Sequence, residues 1–433
     1  MGGGLMQLVA YGSQDIYLTG QPQITFFKSV YRRHTNFAVE SIQQTINGSV
    51  ASGARVSVTV SRNGDLLKCL WCQYSPNLLL TDDVQQVASD LSHALFQQLE
   101  LEIGGQLIDR QYGLWLTIWR DLTEVNPTGS QGALGLAGAE PGINMPGDVA
   151  STRYQRMAYT HQGISDGNVS LDSAPTEVYI PMRFWFCRNP GLAIPLIALQ
   201  YHEVKFNIQF ALASSYLYGG VGTSNLSAAN FNVYADYVYL DTTERRQFAQ
   251  NAHEYLIDQL QYQSESGSGT STGTTIRLNF NHPVKELVWV GTPLSLTQQV
   301  SSVTDANVVG GATPSAITSA SDGAASTMLT KIILNGTDRF TARNLKYFTR
   351  NQVWDCHTGF GATGVADSIA LYSFALRPEE HQPSGTCNFS RIDTAQLWFQ
   401  GNNSETVNPI TIFAVNYNVL RIMSGMGGLA YSN

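Results

Sequence analysis

Apolar residues recur along this chain in short runs, and the breaks between runs are Gly, Pro, Asn and Ser rather than charged helical faces. In Leu99-Glu100-Leu101-Glu102-Ile103 the alternation has a period of two, which marks a strand with one wet face. The same criterion predicts strands at 24–30, 56–60, 66–74, 178–186 and 204–210. It predicts further strands at 233–240, 276–280, 286–290, 331–334, 369–374, 396–399 and 410–417. Helical spacing is confined to three short pieces, 90–98, 112–121 and 243–251. The polar stretches 122–176, 263–274, 297–327 and 355–366 read as loops projecting from a sandwich.

Punctuation divides the chain. Residues 1–24 are Gly-rich and then polar, with Gly20 and Pro22 as breakers, and read as an arm. The Gly, Ser and Asn-rich stretch around 214–224 reads as a linker between domains at 25–213 and 225–433. A weak repeat of about 230 residues supports two similar halves. LELEIGGQLIDR at 99–110 and KIILNGTDRF at 331–340 both read strand, Gly, short gap, Asp-Arg. In each half an apolar strand, a Pro-containing turn and an amphipathic strand then follow, at 178–186 and 204–210, and at 369–376 and 396–399. The pattern fits an all-β fold of paired sandwiches or jelly rolls.

Composition sharpens this picture. The 433 residues are 13% charged, where soluble domains average ~25%, yet 43% hydrophobic. Gly and uncharged polar residues fill the gap, which excludes a charged disordered chain and suggests surface hidden against partners. The formal net charge is −8 and the densest basic spots are the pairs Arg32-Arg33 and Arg245-Arg246, so no direct nucleic-acid contact is expected. No apolar run reaches the ~20 residues of a membrane-spanning helix, and the first residues lack a secretory pattern. Five cysteines, Cys69, Cys72, Cys187, Cys356 and Cys387, read as mostly buried thiols in a reducing compartment.

Several motifs invite chemistry and fail on context. Gly269-Thr270-Ser271-Thr272-Gly273 fits the nucleophile-elbow pattern but sits in a low-complexity loop rather than a strand–helix turn. Gly359-Phe360-Gly361-Ala362-Thr363-Gly364 fits the dinucleotide pattern without the preceding strand. Cys69 and Cys72 lie three apart in a strand, which points them to opposite faces, so no metal site is expected. His202-Glu203 and Glu379-Glu380-His381 are neighbours that a strand would splay apart. Glu100 and Glu102 share a face, the arrangement a glycoside hydrolase would need, but they read more simply as a solvated face. No catalytic residue or cofactor is assigned. Six Asn-x-Ser/Thr sequons occur, at Asn47, Asn168, Asn225, Asn335, Asn388 and Asn402. Of these, Asn168, Asn225 and Asn402 fall in predicted loops and are the candidate glycosylation sites.

Long segments of the chain resemble one family. They include LVAYGSQDIYLTGQPQITFFKSVYRRHTNFAVESIQQTING at 8–48, PGLAIPLIALQYHEVK at 190–205, YVYLDTTERRQFAQNAHEYLIDQLQ at 237–261, IRLNFNHPVKELVW at 276–289 and YSFALRPEEHQPSGTCNFSRID at 372–393. They are similar to the major capsid proteins of large nucleocytoplasmic DNA viruses, most of all the algal-virus (phycodnavirus) type. Divergence falls in the predicted loops. The resemblance implies an all-β double jelly roll, two tandem eight-stranded jelly-roll β-sandwiches, without enzymatic activity, with three copies forming a pseudo-hexameric capsomer of an icosahedral virion shell. It implies synthesis in the host cytoplasm. The implied partners are neighbouring capsomers, minor capsid and penton proteins, and inner membrane-associated viral proteins indirectly. It also implies an inner-face role for the arm and glycans on outward loops. The competing expectation from the binding class is a β-sandwich glycan-binding or attachment protein.

Overall fold

The computed structural model describes residues 3–75, 86–87, 90–125, 153–158, 160, 177–218, 226–266, 273–293, 314–315, 317–318, 327–359, 361, 367–401 and 407–431. Eight strands build the first sandwich: β1 (Phe37–Gln44), β2 (Arg55–Thr59), β3 (Leu66–Tyr74), β4 (Phe96–Ile103), β5 (Gln106–Gln111), β6 (Val178–Pro181), β7 (Val204–Phe210) and β8 (Phe231–Leu240). They order as β1-β8-β3-β6 in one sheet and β2-β7-β4-β5 in the other. The period-two pattern turns Val56 and Val58, Leu70 and Cys72, Leu99 and Leu101, and Phe206 and Ile208 into one shared core. Each such large side chain, when fully buried, contributes about 1.5–3 kcal/mol.

Eight more strands build the second sandwich: β9 (His253–Glu265), β10 (Thr274–Leu278), β11 (Pro283–Gly291), β12 (Leu329–Leu334), β13 (Thr337–Asp338), β14 (Ile369–Ser373), β15 (Ala395–Gln400) and β16 (Ile410–Met423). Their orders are β9-β16-β11-β14 and β10-β15-β12-β13. Adding eight to every number of the first sandwich reproduces the second, so the halves repeat strand for strand. Two-residue strands such as Ile46–Asn47 and Ile194–Pro195 extend the sheets. The sequence repeat maps onto the equivalent hairpins β4–β5 and β12–β13. Their turns carry Gly104 and Gly105 at φ 60° and 81°, and Asn335 and Gly336 at φ 49° and 76°. Two successive positive φ values make the tight turn that matches strand twist and that Gly and Asn tolerate best.

Several expectations change. The segment 24–30 forms no strand, and regular pairing begins at Phe37. The strand expected over 178–186 stops at Pro181, which cannot donate to a ladder. The chain then turns into the helix Trp185–Arg188, which buries Trp185 and Phe186. The helix expected over 90–98 is only Leu91–Ala94, because Phe96 already pairs with Phe210. The helices expected at 112–121 and 243–251 occur as Gly113–Thr123 and Thr242–Gln250. Strands β1, β5, β9 and the two-residue β13 were not foreseen, and β9 takes in residues 263–265 of an expected loop.

The domain border also moves. β8, which follows the expected linker, pairs antiparallel with β3, Val233 opposite Cys72, so this strand still belongs to the first sandwich. A jelly roll closes on a strand far away in sequence, and local composition carries no trace of that pairing. Residues 219–224 of the expected linker lie outside the described residues.

Residues 1–37 separate from 38–433 as a unit of their own. That unit holds the helical turns Gly3–Val9 and Ile16–Thr19, with Tyr11 and Thr19 hydroxyls 3.1 Å apart. Fourteen of the twenty-seven large apolar side chains exposed among the described residues fall in it, Phe26, Phe27 and Tyr31 among them. Its apolar surface is therefore concentrated and uncovered.

Candidate functional site at the seam between the sandwiches

The segment GLWLTIWRDLT has no interior Gly or Pro and spaces Trp115, Ile118, Trp119 and Leu122 along one stripe, so it winds into the helix Gly113–Thr123. That stripe packs on Val288, Val290, Val353, Ile369, Leu371, Phe413 and Val415 of the second sandwich. The Trp115 and Phe413 rings lie 5.1 Å apart. Leu116 joins the core of the first sandwich. One helix thus belongs to both cores.

Its last carbonyls are satisfied from the second sandwich: Gly359 N–H donates to Leu122 O and Gly361 N–H to Asp121 O, each at 2.7 Å. A Cβ on Gly359 would overlap the Leu122 backbone. The glycine pattern at 359 therefore begins as a cap on a helix C-terminus, the electrostatic opposite of a phosphate-binding helix N-terminus. Residues 360 and 362–364 of that pattern lie outside the described residues.

Charged groups line the rest of the seam. Arg188 of the first sandwich meets Asp258 of the second at 2.7 Å, and Lys285 reaches the same carboxylate at 3.1 Å. Burial alone would raise the Asp258 pKa, but these two cations hold it below the usual carboxylate value. Burial outweighs its carboxylate neighbours at Lys285 and lowers that pKa. Asp109 accepts from Leu260 N–H across the seam at 3.1 Å, and burial pushes its pKa up to about 6. Gln259 donates to Ile108 O, Gly427 N–H to His202 Nδ1 at 3.1 Å, and Tyr201 N–H to Gly425 O at 3.0 Å.

Beneath the helix end sits His357, fully enclosed. Nε2 lies 2.9 Å from Glu286 Oε2, and Nδ1 lies 3.0 Å from Glu379 Oε1. Both nitrogens face carboxylates, so both carry protons. Burial would lower the imidazole pKa, yet the two carboxylates hold it up at about 9. Glu379 also accepts from Thr358 N–H at 2.8 Å, and Thr358 Oγ1 donates to Thr123 O of the first sandwich at 3.3 Å.

The residues weighed from sequence are dispersed. Glu100 is buried between Arg55 at 2.5 Å and Arg110 at 2.8 Å, while Glu102 accepts from Asn207 at 2.7 Å. Glu100 is thus held in a cross-strand ion cluster rather than on a solvated face. Cys72 is in the core and Cys69 half-buried on the opposite face, as an offset of three requires. Only Cys72 is fully buried; Cys187, Cys356 and Cys387 are half-buried, against expectation. Glu379 partners His357 rather than His381, and Glu380 partners Arg377 at 3.1 Å. Of the elbow-like motif only Gly273 is described. The candidate glycosylation residues Asn168, Asn225 and Asn402 lie outside the described residues. Asn47, Asn335 and Asn388 are exposed, and the side chains of Asn335 and Asn388 accept backbone N–H groups. The His357 cluster was missed in sequence. Its one visible signal is Lys285-Glu286 set inside the apolar run of β11, where a charge needs a partner.

Comparison with known proteins agrees with this geometry. A family model described as major capsid protein N-terminus matches residues 25–241, and one described as large eukaryotic DNA virus major capsid protein matches 244–428. The border between them falls just after β8. The chain is 45% identical to the major capsid protein of Pyramimonas orientalis virus and 42% identical to that of Paramecium bursaria Chlorella virus 1, covering 100% of each chain in both cases. A solved quasi-atomic model of the PBCV-1 virus capsid aligns at TM-score 0.71 and 38% identity, over 94% of this chain and 100% of that one.

Proposed function

The chain belongs to the family of large eukaryotic DNA virus major capsid proteins, and from that premise we propose that three copies assemble into a pseudo-hexameric capsomer of an icosahedral virion shell. The observation that carries this reading is the strand-for-strand repeat locked by a buried seam. Residues 38–433 form one compact unit bearing two like blocks, so a trimer offers six similar blocks to hexagonal neighbours. Sparse charge suits surfaces that face other copies, because the cores of such interfaces are depleted in charged residues.

The role is structural rather than catalytic: both Glu100 oxygens are engaged by arginines. The net charge of −8 supports a shell that does not touch nucleic acid directly. The uncovered apolar side chains of residues 1–37 suit contact with minor capsid and penton proteins, which would link the shell indirectly to inner membrane-associated viral proteins. Synthesis in the host cytoplasm fits five free thiols. Asn168, Asn225 and Asn402 remain the proposed glycan positions.

Solution mass tests the assembly. Three copies of 47.4 kDa give a particle of about 142 kDa, and a stable monomer inside assembled shells would sink the proposal. Removing residues 1–24 should spare the trimer and impair shell yield; undiminished yield removes the role given to the arm.

A further inference from the structure

Two thiols from different elements meet on the first sandwich. Cys69 lies on β3, and Cys187 lies in the helix Trp185–Arg188. Both contact the backbone of the same residue: Leu70 N–H donates to Cys187 Sγ at 3.5 Å, and Cys69 Sγ donates to Leu70 O at 3.5 Å. Cys69 keeps part of its surface exposed and Cys187 packs against the core edge, whereas Cys72 points into the core.

We propose that Cys69 and Cys187 form an oxidation site that a low-molecular-weight disulfide converts into an intramolecular disulfide, with Cys69 attacking and Cys187 resolving. The Cys69 thiolate attacks one sulfur of the reagent RSSR. The S–S bond breaks and RS⁻ leaves, to be protonated as RSH. Cys187 then gives up its proton and attacks the Cys69 sulfur, expelling the second RS⁻. Two protein thiols are oxidised and one RSSR is reduced to two RSH.

The division of labour follows from the surroundings. The neighbouring Cys187 side chain and the charge of Lys68 lower the Cys69 pKa, against burial and the opposing Asp236 carboxylate. Burial raises Cys187 well above the ordinary thiol value, with Arg183 opposing. Burial likewise raises Cys72, Cys356 and Cys387, so Cys69 alone of the five is activated.

A reducing cytosol keeps such a pair as thiols, and an oxidising exterior closes it. The bond would close a long loop that includes the polar stretch 122–176, and long loops give the largest constraint on the unfolded chain. It would also tie β3 to the helix whose Arg188 reaches Asp258, clamping the seam. None of this depends on the role in the shell.

The test treats purified full-length protein with glutathione disulfide or with reduced glutathione, then maps non-reduced peptides after alkylation. The expected result is a Cys69–Cys187 linked peptide in the oxidised arm only, with a melting temperature several degrees higher. Cys187→Ser should stop at a Cys69–glutathione mixed disulfide, and Cys69→Ser should yield neither product nor shift. Absence of the linked peptide from folded wild type, or mixed disulfide first at another cysteine, overturns the proposal.

Discussion

Raising the pH from 7 to 9.5 should loosen the seam through His357. A pKa of about 9 in the folded protein, against 6.5 for a free imidazole, means that folding holds the proton about 2.5 units more tightly. The sign follows from linkage. The stabilisation is fully present below pH 6.5 and is lost as pH rises through about 9. At ~1.36 kcal/mol per unit the whole contribution is about 3 kcal/mol, of which about 2.5 disappears between pH 7 and 9.5. For a cooperative unit this large that corresponds to about 3–5 °C in melting temperature. Scanning calorimetry of wild type and His357→Gln across this range isolates the group. The variant should be less stable at pH 7 by ~3–5 kcal/mol, because Glu286 is left buried without its cation. Its further loss between pH 7 and 9.5 should be less than half that of wild type. Glu379→Gln keeps one carboxylate and should move the wild-type transition to lower pH. Parallel pH losses in all three proteins would refute the imidazolium account.

Trp119→Ala should cost ~3–5 kcal/mol and speed amide exchange on both faces of the seam, in β11 as well as in the helix; protection lost only in the first sandwich would contradict the shared core. Asp109→Asn should stabilise the protein at pH 7.5 by up to ~3 kcal/mol, because burial raises the carboxylate pKa to about 6 and the resulting cost builds as pH rises from about 4 and is complete above about 6. The gain should vanish near pH 4 in denaturant titrations, and a pH-independent gain would rule out ionisation as its source. Gly104→Ala should destabilise more than Gly105→Ala in the same measurement. Both positions have positive φ, but only at Gly104 does a Cβ meet a neighbour, the His202 ring that receives Gly427 N–H.

Where one face is core and the other wet, the fold was legible. The strands at 66–74 and 204–210 appear with the bounds that alternation predicts, and the Gly-rich and Asn-Gly turns sit where the repeat puts them. β9 escaped because His253, Asp258, Gln259, Gln261 and Gln263 break its apolar pattern. Those polar groups turn out to bind the seam and the neighbouring strand rather than water: Asp258 meets Arg188, and Gln261 donates to Asn281 O at 2.6 Å. The assignment of β8 escaped because its partner β3 lies more than 150 residues earlier. His357 escaped because its partners, Glu286 and Glu379, come together only through tertiary packing.

The shared helix sets a schedule for synthesis. Trp115 and Trp119 leave the ribosome long before the residues that cover them, and Phe413 follows Trp119 by 294 positions. At ~5–20 residues per second that interval is about 15–60 s. Throughout it the nascent first sandwich carries a naked aromatic stripe. The same stripe makes any break of the chain between the two halves costly to both.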